Sequence, residues 1–575
     1  MSKLFDDASL VMIPSAYKDG KLYSVRPTDG SGDFTFSRGS NLAATRVASS
    51  GYIEKGRENL LLQSNSFDTT WSGAVTTTSG QSGYDGTSNA WLIQNTSDSA
   101  YIRQTNTTSG VLTASIYAKA GNVDWMRFAV SNSPIVSIYF DLVNGVGYGA
   151  SNLISHDIED VGNGWHRYSV SFLASSMSGM QWYPADANND LGEVGDNILI
   201  QDAQLEQGLV ATDVITTTTT SVSAGILEDM PRLDYSGSCP SLLLEPQRSN
   251  LITQSEYFGA WSTLNSSVTN NSTTSPEGLT NAALCEYNIT SSNGYIRLAH
   301  TAAQTISFYI KYKDVQWVMV YLSGLGAGKF IDIQNGVVGG NVGSGATAEI
   351  VDAGNDWKRV ILKSSSANIT QTSIYAAASD GSYASITLSG GIYLYGAQAE
   401  DATYPTSYIP TYGSSVTRSV DTFEVTGISD LIDSQGGVML LESQALDRNQ
   451  GYSGISLSDD TFTNNAQIRY GSSTDQVQIQ YRVGSSNECL ASNSENDITN
   501  NLKIAFKYEA NSFKMFVNGV LEATDTSGSV NAANTFDTIK SNRGDGSDKY
   551  LGKIKQLAIF PTALTDSECI ALTTL

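Results

Sequence analysis

The sequence predicts an all-β protein: three tandem β-sandwiches of the jelly-roll kind that follow a short N-terminal attachment segment. Short runs of β-branched and aromatic residues are separated by clusters of Gly, Asn, Asp and Ser, as in LTASIYAKA, SIYFDLV and NILIQDAQL. Charged residues make up only 16% of the 575 residues, which include 52 Gly and 29 Tyr. No apolar pattern holds helical spacing for more than a few turns, and TALTDSECIALTTL is the best helix candidate.

The chain is too long for a single hydrophobic core, and its landmarks divide it into four parts. The sequence predicts an attachment segment over residues 1–48, a first jelly roll over 49–216, a second over 217–412 and a third sandwich over 413–575. Near the start only residues 10–14 are apolar, a stretch too short for a signal peptide or a membrane anchor. We therefore expect synthesis without export and no insertion into a membrane.

The first two sandwiches are predicted to be copies of one domain. The pattern ExxRxNL begins at Glu54 and again at Glu245, and SIYAKAGNVDW at residues 115–125 aligns without a gap with SFYIKYKDVQW at 307–317. A repeat of about 190 residues far exceeds the ~20–50 residues of a solenoid unit, so each copy should be a complete domain.

Residues shared by both copies are expected to serve the fold. Arg57 and Asn59, like Arg248 and Asn250, are predicted to tie the first strand of each copy to a neighbouring strand. Three pairs of tryptophans are predicted to lie in the cores or at sheet corners: Trp71 and Trp261, Trp125 and Trp317, Trp165 and Trp357. In GNGWHRYSVSF we predict one buried face, formed by Trp165, Tyr168, Val170 and Phe172.

The last third of the chain carries different landmarks. Segments such as GGVMLLESQAL, QVQIQYRVG and NLKIAFKYEA alternate with a period of two residues and are separated by polar turns. SFKMFVNGVLEA predicts a hairpin with a type I′ turn at Asn518 and Gly519, because that turn needs a positive φ at both central residues. These segments predict a third β-sandwich.

The net charge of −24 argues against nucleic acid as a partner, because phosphate contacts need clustered Lys and Arg and only 33 of these are spread over the chain. The four cysteines are scattered without a CxxC motif: Cys239, Cys285, Cys489 and Cys569. We expect free thiols rather than disulfides or a zinc site.

Differences between the copies point to candidate ligand contacts. Sugar binding in β-sandwiches relies on aromatic rings against the apolar face of the sugar and on polar side chains at its hydroxyls. Trp91 aligns with Ala283 and Trp182 with Ile374, so these two rings belong to the first copy alone. The candidate carbohydrate-binding residues are Trp91, Trp182, Tyr183, Asp186 and Asn188. The alternative interpretation is that the first copy packs its core differently.

No cofactor is expected. The acidic loop of Asp186, Asp190, Glu193 and Asp196 is a candidate for calcium, but it lacks the spacing of an EF-hand and is equally typical of a solvated turn. The protein is also not expected to be an enzyme, because His156, His166 and His300 are isolated from one another. Glycoside hydrolysis needs only two carboxylates ~5–10 Å apart, so a glycan-degrading enzyme stays as an alternative.

Two family resemblances cover most of the chain. FKMFVNGV and GKIKQLAIFPTALTDSE in the last third resemble strands of concanavalin A-like or laminin G-like lectin domains. The nearest match to the ExDxxE strand of enzymes in that class is Glu495, Asp497 and Asn500, which lacks the last acid. The motifs NLLxxS and NGWxR of the first copy and GAQxExxxxPTSYIPT of the second resemble the carbohydrate-binding-module-like jelly rolls of tailed-bacteriophage tail and virion proteins. The first copy has DAQLEQGLVATDVITT in place of the last motif.

These resemblances imply a non-enzymatic virion protein, a tail fibre or appendage that adheres to polysaccharide on the host surface. They imply docking to other virion proteins through the N-terminal segment, assembly into a homo-oligomer, most simply a trimer, and synthesis in the host cytoplasm. A capsid-bound head fibre or decoration protein is the first alternative. A bacterial surface adhesin is a further one, which the absence of an export signal disfavours.

Overall fold

The computed structural model describes residues 3–575 with the exception of residues 19, 133, 238 and 495. These residues form 48 strands and one α-helix, α1 (Asp566–Thr573), which begins with a capping box between Thr565 and Glu568. The all-β prediction and the predicted C-terminal helix are confirmed. Within the described part of the chain, no helix has the length and apolar character needed to cross a bilayer.

The strands before the first jelly roll are β1 (Leu10–Met12), β2 (Tyr17–Lys18), β3 (Lys21–Leu22), β4 (Phe34–Ser37), β5 (Thr45–Val47) and β6 (Ile53–Lys55). The first jelly roll and its closing strand comprise β7 (Arg57–Asn59), β8 (Ser72–Gly73), β9 (Val75–Gln81), β10 (Ala90–Asn95), β11 (Ile102–Gln104), β12 (Gly110–Ala120), β13 (Trp125–Val130), β14 (Val136–Asp141), β15 (Val146–Ser151), β16 (Ser155–Gly162), β17 (Trp165–Ala174), β18 (Met180–Ala187), β19 (Asp190–Leu191), β20 (Asn197–Gln207) and β21 (Val222–Ala224).

Two strands separate the jelly rolls, β22 (Leu233–Asp234) and β23 (Ser241–Leu244). The second jelly roll and its closing strand comprise β24 (Arg248–Asn250), β25 (Ser262–Leu264), β26 (Ser266–Thr273), β27 (Ala282–Ser292), β28 (Tyr295–Ala303), β29 (Thr305–Tyr312), β30 (Trp317–Ser323), β31 (Ala327–Asp332), β32 (Val337–Val342), β33 (Ala346–Asp352), β34 (Trp357–Ser364), β35 (Ile369–Ala377), β36 (Ile386–Glu400) and β37 (Val416–Arg418).

The remaining strands are β38 (Thr422–Thr426), β39 (Gly436–Ala445), β40 (Ser453–Ser458), β41 (Asn465–Tyr470), β42 (Val477–Val483), β43 (Ser486–Asn493), β44 (Leu502–Glu509), β45 (Ser512–Val517), β46 (Val520–Asp525), β47 (Thr538–Lys540) and β48 (Gly552–Phe560). The β45–β46 turn has φ of 49° at Asn518 and 84° at Gly519, as the predicted type I′ hairpin requires.

The two jelly rolls have one topology. One sheet runs β16-β17-β12-β20-β10-β9 in the first copy and β33-β34-β29-β36-β27-β26 in the second. The other sheet runs β15-β14-β13-β18-β11-β8 and β32-β31-β30-β35-β28-β25, with β19 added to β18 in the first copy. Every other strand therefore has a counterpart, as the duplicated sequence predicts, and a separate hydrophobic core fills each sandwich.

The first strand of each jelly roll is held as the sequence predicts. The Asn59 side-chain amide donates to the backbone oxygens of Ala203 and Ile215, at 3.2 and 2.8 Å. Asn250 donates in the same way to Ala397 and Ile409, at 3.0 and 2.8 Å. In addition β7 pairs with β21 and β24 with β37, so each jelly roll is closed where the chain enters and leaves it.

The N-terminal segment is not a separate attachment element, and this part of the predicted domain order is wrong. Strand β1 pairs with β48, so that Leu10 lies opposite Ile559, and β4 pairs with β38. Strand β23, which lies between the two jelly rolls in the sequence, also pairs with β48. The third sandwich is thus built from three stretches of chain, and the jelly rolls are insertions within it. Pairings across hundreds of residues leave no local pattern that sequence reasoning could use.

A buried charged cluster lies where the chain crosses between the third sandwich and the jelly rolls. We call it the junction; it consists of Arg38, Arg232, Arg418, Glu245 and Asp421, all fully or almost fully buried. The Glu245 carboxylate lies 2.6 Å from Arg232 and 2.8 Å from Arg418, and Asp421 pairs with Arg232 and Arg38. Burial would raise the pKa of Glu245, but Arg418 and Arg232 hold it well below its ordinary value.

A second ionic contact joins the jelly rolls directly. The ammonium of Lys55, from the first copy, lies 2.6 Å from Glu256 and 2.9 Å from Glu277 of the second copy. Arg57 also pairs with Glu277. The prediction that Arg57 binds a neighbouring strand of its own domain is therefore wrong, because its side chain reaches the other jelly roll. Arg248 instead lies over the ring of Tyr404.

Candidate functional site

The two neighbouring aromatic residues of β18 point to opposite sides of the sheet. Trp182 lies opposite Phe128 in the register, and Tyr183 lies opposite Arg127. Trp182 is fully buried in the core, with its ring centroid 4.5 Å from that of Phe128. The predicted exposed ring at Trp182 is therefore wrong, because side chains alternate along a strand and this one falls on the core side. Tyr183 lies on the other side of the sheet, where it is also buried, as is Tyr139 beside Arg127.

Trp91 does not join Tyr183. It lies on β10 in the opposite sheet, where it packs partly buried against the core, and its indole nitrogen donates to the backbone oxygen of Asn65 at 3.0 Å. Its ring meets that of Phe67 edge to face at 6.2 Å. Trp91 and Trp182, the two tryptophans found only in the first copy, therefore both contribute to its packing. This agrees with the alternative interpretation, in which the first copy packs its core differently from the second.

Tyr183 belongs to a row of side chains that crosses four strands on the outer face. We call it the first aromatic row; it consists of Tyr139, Arg127, Tyr183 and Tyr101. The Arg127 guanidinium carbon lies 5.7 Å from the ring centroid of Tyr139 and 5.0 Å from that of Tyr183. The rings of Tyr183 and Tyr101 are 5.0 Å apart. Burial raises the pKa of Tyr183, and Arg127 opposes this shift.

The second jelly roll carries the equivalent row on its equivalent sheet. The second aromatic row consists of Phe330, Met319, Tyr375 and Tyr295. Phe330 and Met319 are buried, and the two tyrosines are partly exposed. The rings of Tyr375 and Tyr295 are 5.1 Å apart, close to the spacing in the first row. Tyr383 adds a further ring, 5.4 Å from Tyr375.

A tryptophan borders each row. Trp125 and Trp317 are partly exposed on the same outer faces, two residues along the strand from Arg127 and Met319 respectively. The ring of Trp125 lies 5.3 Å from that of the exposed Tyr148. Of the three shared tryptophan pairs, the other two are buried as predicted. This pair is not in the core. Contrary to the prediction, Trp165 does not share a buried face with Tyr168, Val170 and Phe172. It lies an odd number of residues from them, so it is buried on the other side of its sheet.

Asp186 and Asn188 lie at the end of β18, beside the first aromatic row, and both are exposed. Burial, and then Asp196, Asp190 and Glu193, raise the pKa of Asp186. Asn188 lies against β15, where a Cβ on Gly149 would come within 3.1 Å of its amide oxygen. Among the described residues no group of three or more His, Cys, Asp and Glu side chains is arranged to hold a metal, so the structure gives calcium no support at this loop.

Sequence reasoning missed most of both rows because it searched for differences between the copies. Tyr101 with Tyr295 and Trp125 with Trp317 are shared, and they were assigned to the fold for that reason. The available signal was their position: on β18 the apolar Met180 and Trp182 alternate with Gln181 and Tyr183. Shared aromatic residues in the outward phase of a strand mark a surface rather than a core.

The third sandwich contains a buried row of polar side chains. Ser456, Gln467 and Gln480 lie opposite one another on β40, β41 and β42, with Gln467 fully buried and neither polar atom of its side-chain amide hydrogen-bonded. Of the enzyme-like triplet, Glu495 lies outside the described residues, and Asp497 pairs with Arg448 at 3.7 Å. The four cysteines are free thiols, as predicted.

Structural comparisons find carbohydrate-binding modules at low similarity. The CBM40 of the Ruminococcus gnavus IT-sialidase bound to alpha2,3 sialyllactose is 18% identical over 24% of this chain and 83% of its own, with a TM-score of 0.22. The tandem CBM22-1–CBM22-2 of Paenibacillus barcinonensis Xyn10C is 9% identical and covers 64% of this chain and 100% of its own, with a TM-score of 0.20.

Sequence comparison supports one domain. No curated protein sequence matches the chain significantly. The family described as the concanavalin A-like lectin/glucanases superfamily matches residues 445–569, which confirms the expected class of the third sandwich.

Proposed function

We propose that the chain is a non-enzymatic adhesin that binds polysaccharide through the outer faces of its two jelly rolls. The observation that carries this proposal is the pair of aromatic rows, which occupy equivalent strands in both copies. Tyrosine rings offer apolar faces to the carbon-rich side of a sugar, while Arg and Gln side chains on the same faces can bond to its hydroxyls. Two such faces on one chain would raise the effective concentration of the second contact.

The test removes the terminal ring of each row. In Tyr101→Ala and Tyr295→Ala each face loses about 1 kcal/mol of stacking, so binding to the best ligand on a glycan array should fall about fivefold. The double variant should fall further than either single variant, because both contacts of a bivalent chain are weakened. Tyr23→Ala is the matched control, since Tyr23 is 38% exposed in the third sandwich, away from both rows. Unchanged glycan binding in the double variant would refute the proposal.

The proposed setting is the virion of a tailed phage, as a trimeric tail fibre or similar appendage. Its support is the presence of NGWxR in the first copy and GAQxExxxxPTSYIPT in the second. Contact with other virion proteins would run through the third sandwich, since that is where strands β1 and β4 lie. Antibody labelling of intact virions tests this setting, and label on the capsid would favour the head-fibre alternative. Sedimentation equilibrium tests the trimer.

Hydrolysis of the bound glycan is the competing function. Incubation with a polysaccharide that the protein binds should release no new reducing ends. A time-dependent increase would identify an enzyme, and the variants of the aromatic rows would then show whether binding and hydrolysis share a site.

A further inference from the structure

The two aromatic rows differ in charge at one position. The second member of the first row is Arg127, between Tyr139 and Tyr183. The second member of the other row is Met319, between Phe330 and Tyr375. The two rows are otherwise equivalent. They lie on corresponding strands in the same register, and their other three positions carry aromatic rings in both copies.

Arg127 carries a charge that its own chain does not neutralise. No carboxylate of the described residues lies within 4.0 Å of its guanidinium, and its Nε is buried without an acceptor. Asp141 lies opposite Trp125 on the neighbouring strand. Its carboxylate is engaged in a turn, where it accepts from the backbone nitrogens of Val143 and Asn144 at 3.0 and 2.9 Å. An uncompensated cation on an outer face is unusual in a chain with a net charge of −24.

The tyrosine rings fix the guanidinium in place. Its carbon lies within 6 Å of both ring centroids, a distance at which the ring faces attract a cation and restrict its side chain. Arg127 is only partly buried, so a ligand on the face can reach it. A planar guanidinium held in one orientation matches a carboxylate, which it can bind through two parallel N–H bonds.

The second row has no such group at this position. Met319 is fully buried and packs with Phe330 and Ala377. The second jelly roll does carry Arg297, whose guanidinium lies over Tyr295 at 4.6 Å, but the first jelly roll has Arg103 at the matching place. Arg103 instead donates to the backbone oxygen of Ser178 at 2.8 Å, so the two arginines are held differently.

We propose that Arg127 gives the first face a preference for saccharides that carry a carboxylate, a preference that Met319 does not provide at the equivalent position of the second face. This inference rests on the proposed function, because it assigns a ligand class to one of the same rows. Arg127 is a specificity-determining residue under this proposal.

The experiment compares the full chain with its Arg127→Met variant on a glycan array that contains uronic and sialic acid glycans and neutral glycans. Methionine is what the other row carries, so the substitution is compatible with this fold. Arg127→Met should lower binding to carboxylated glycans at least tenfold and lower binding to neutral glycans by a clearly smaller factor. Binding of the acidic glycans by the unaltered chain should also weaken with added salt, and the variant should lose this dependence.

A second variant separates a charge effect from a packing effect. Arg127→Lys keeps the charge without the planar fork, so it should retain part of the acidic binding that Arg127→Met loses. The charge proposal is overturned if the ratio of acidic to neutral binding is the same in Arg127→Met and the unaltered chain, or if only neutral glycans bind. Absence of all glycan binding would instead refute the proposed function, and with it this inference.

Discussion

A shift of one residue along β18 moves a side chain from the core between the sheets to the opposite side of its sheet. Trp182 fills the space between the sheets of the first jelly roll, whereas Tyr183 lies outside it beneath Arg127. Composition cannot distinguish the two rings, because both are large and follow each other in sequence. The distinction comes from the phase of the strand, which Met180 and Trp182 share on the core side.

Trp182→Ala tests this assignment. Removal of a fully buried indole should lower the free energy of unfolding of the first jelly roll by about 3–5 kcal/mol, since the loss of buried apolar area adds to the cavity left behind. Chemical denaturation followed by tryptophan fluorescence measures it. Tyr183→Phe is the comparison: it keeps the ring and should change stability by less than about 1.5 kcal/mol. Equal stability of Trp182→Ala and the unaltered chain would contradict the core assignment.

At the scale of elements, sequence patterns predicted the turns, the helix and the contacts that short motifs in the chain encode. The Asn518–Gly519 hairpin, helix α1 and the closure of each jelly roll by Asn59 and Asn250 were all read from short motifs. The place of β1 could not be predicted. Its three residues are buried against β48, but an apolar triplet near the start of a chain carries no information about a partner at residue 559.

Leu10→Ala tests the role of β1. Leu10 is fully buried in the core of the third sandwich, so truncation should destabilise that domain by about 2–5 kcal/mol. Hydrogen exchange read by mass spectrometry should show faster exchange in β39 and β48 and little change in the jelly rolls. Leu575→Ala is the control, because Leu575 is 70% exposed. A mobile attachment arm would predict no effect of Leu10→Ala on exchange in either strand.

At the scale of the molecule, buried charges hold the domains together. Each residue of the junction lies where the chain leaves or rejoins the third sandwich, so these ion pairs fix the three sandwiches relative to one another. A buried carboxylate that loses its charge leaves its arginine partners unpaired, which is strongly unfavourable. Burial already lowers the pKa of Arg38 to about 10, against the opposing effect of Asp421.

The junction should make stability sensitive to acid. The pKa of Glu245 is lower in the folded protein than its ordinary value of 4.5, and so is that of Glu256, where Lys55 and Arg57 outweigh the effect of burial. A depressed carboxyl pKa stabilises the fold fully above about pH 4.5, and this contribution is lost as the pH falls below it. Thermal denaturation from pH 7 to pH 3 measures the loss.

Glu245→Gln is the matched variant for that series. It should already be about 3–5 kcal/mol less stable at pH 7, because Arg232 and Arg418 lose their shared anion. Its stability should then fall less steeply below pH 4.5, since the titrating group is gone. Identical slopes for the variant and the unaltered chain would show that Glu245 does not carry the acid sensitivity.

The interleaved third sandwich also sets an order of events during synthesis. Both jelly rolls consist of uninterrupted chain and can fold as soon as they leave the ribosome, whereas β1 must wait for β48. At about 5–20 residues per second, the delay between these two strands is on the order of half a minute to two minutes. Throughout that time the apolar Leu10, Val11 and Met12 lack their partner strand, so shielding by chaperones has its greatest value at β1.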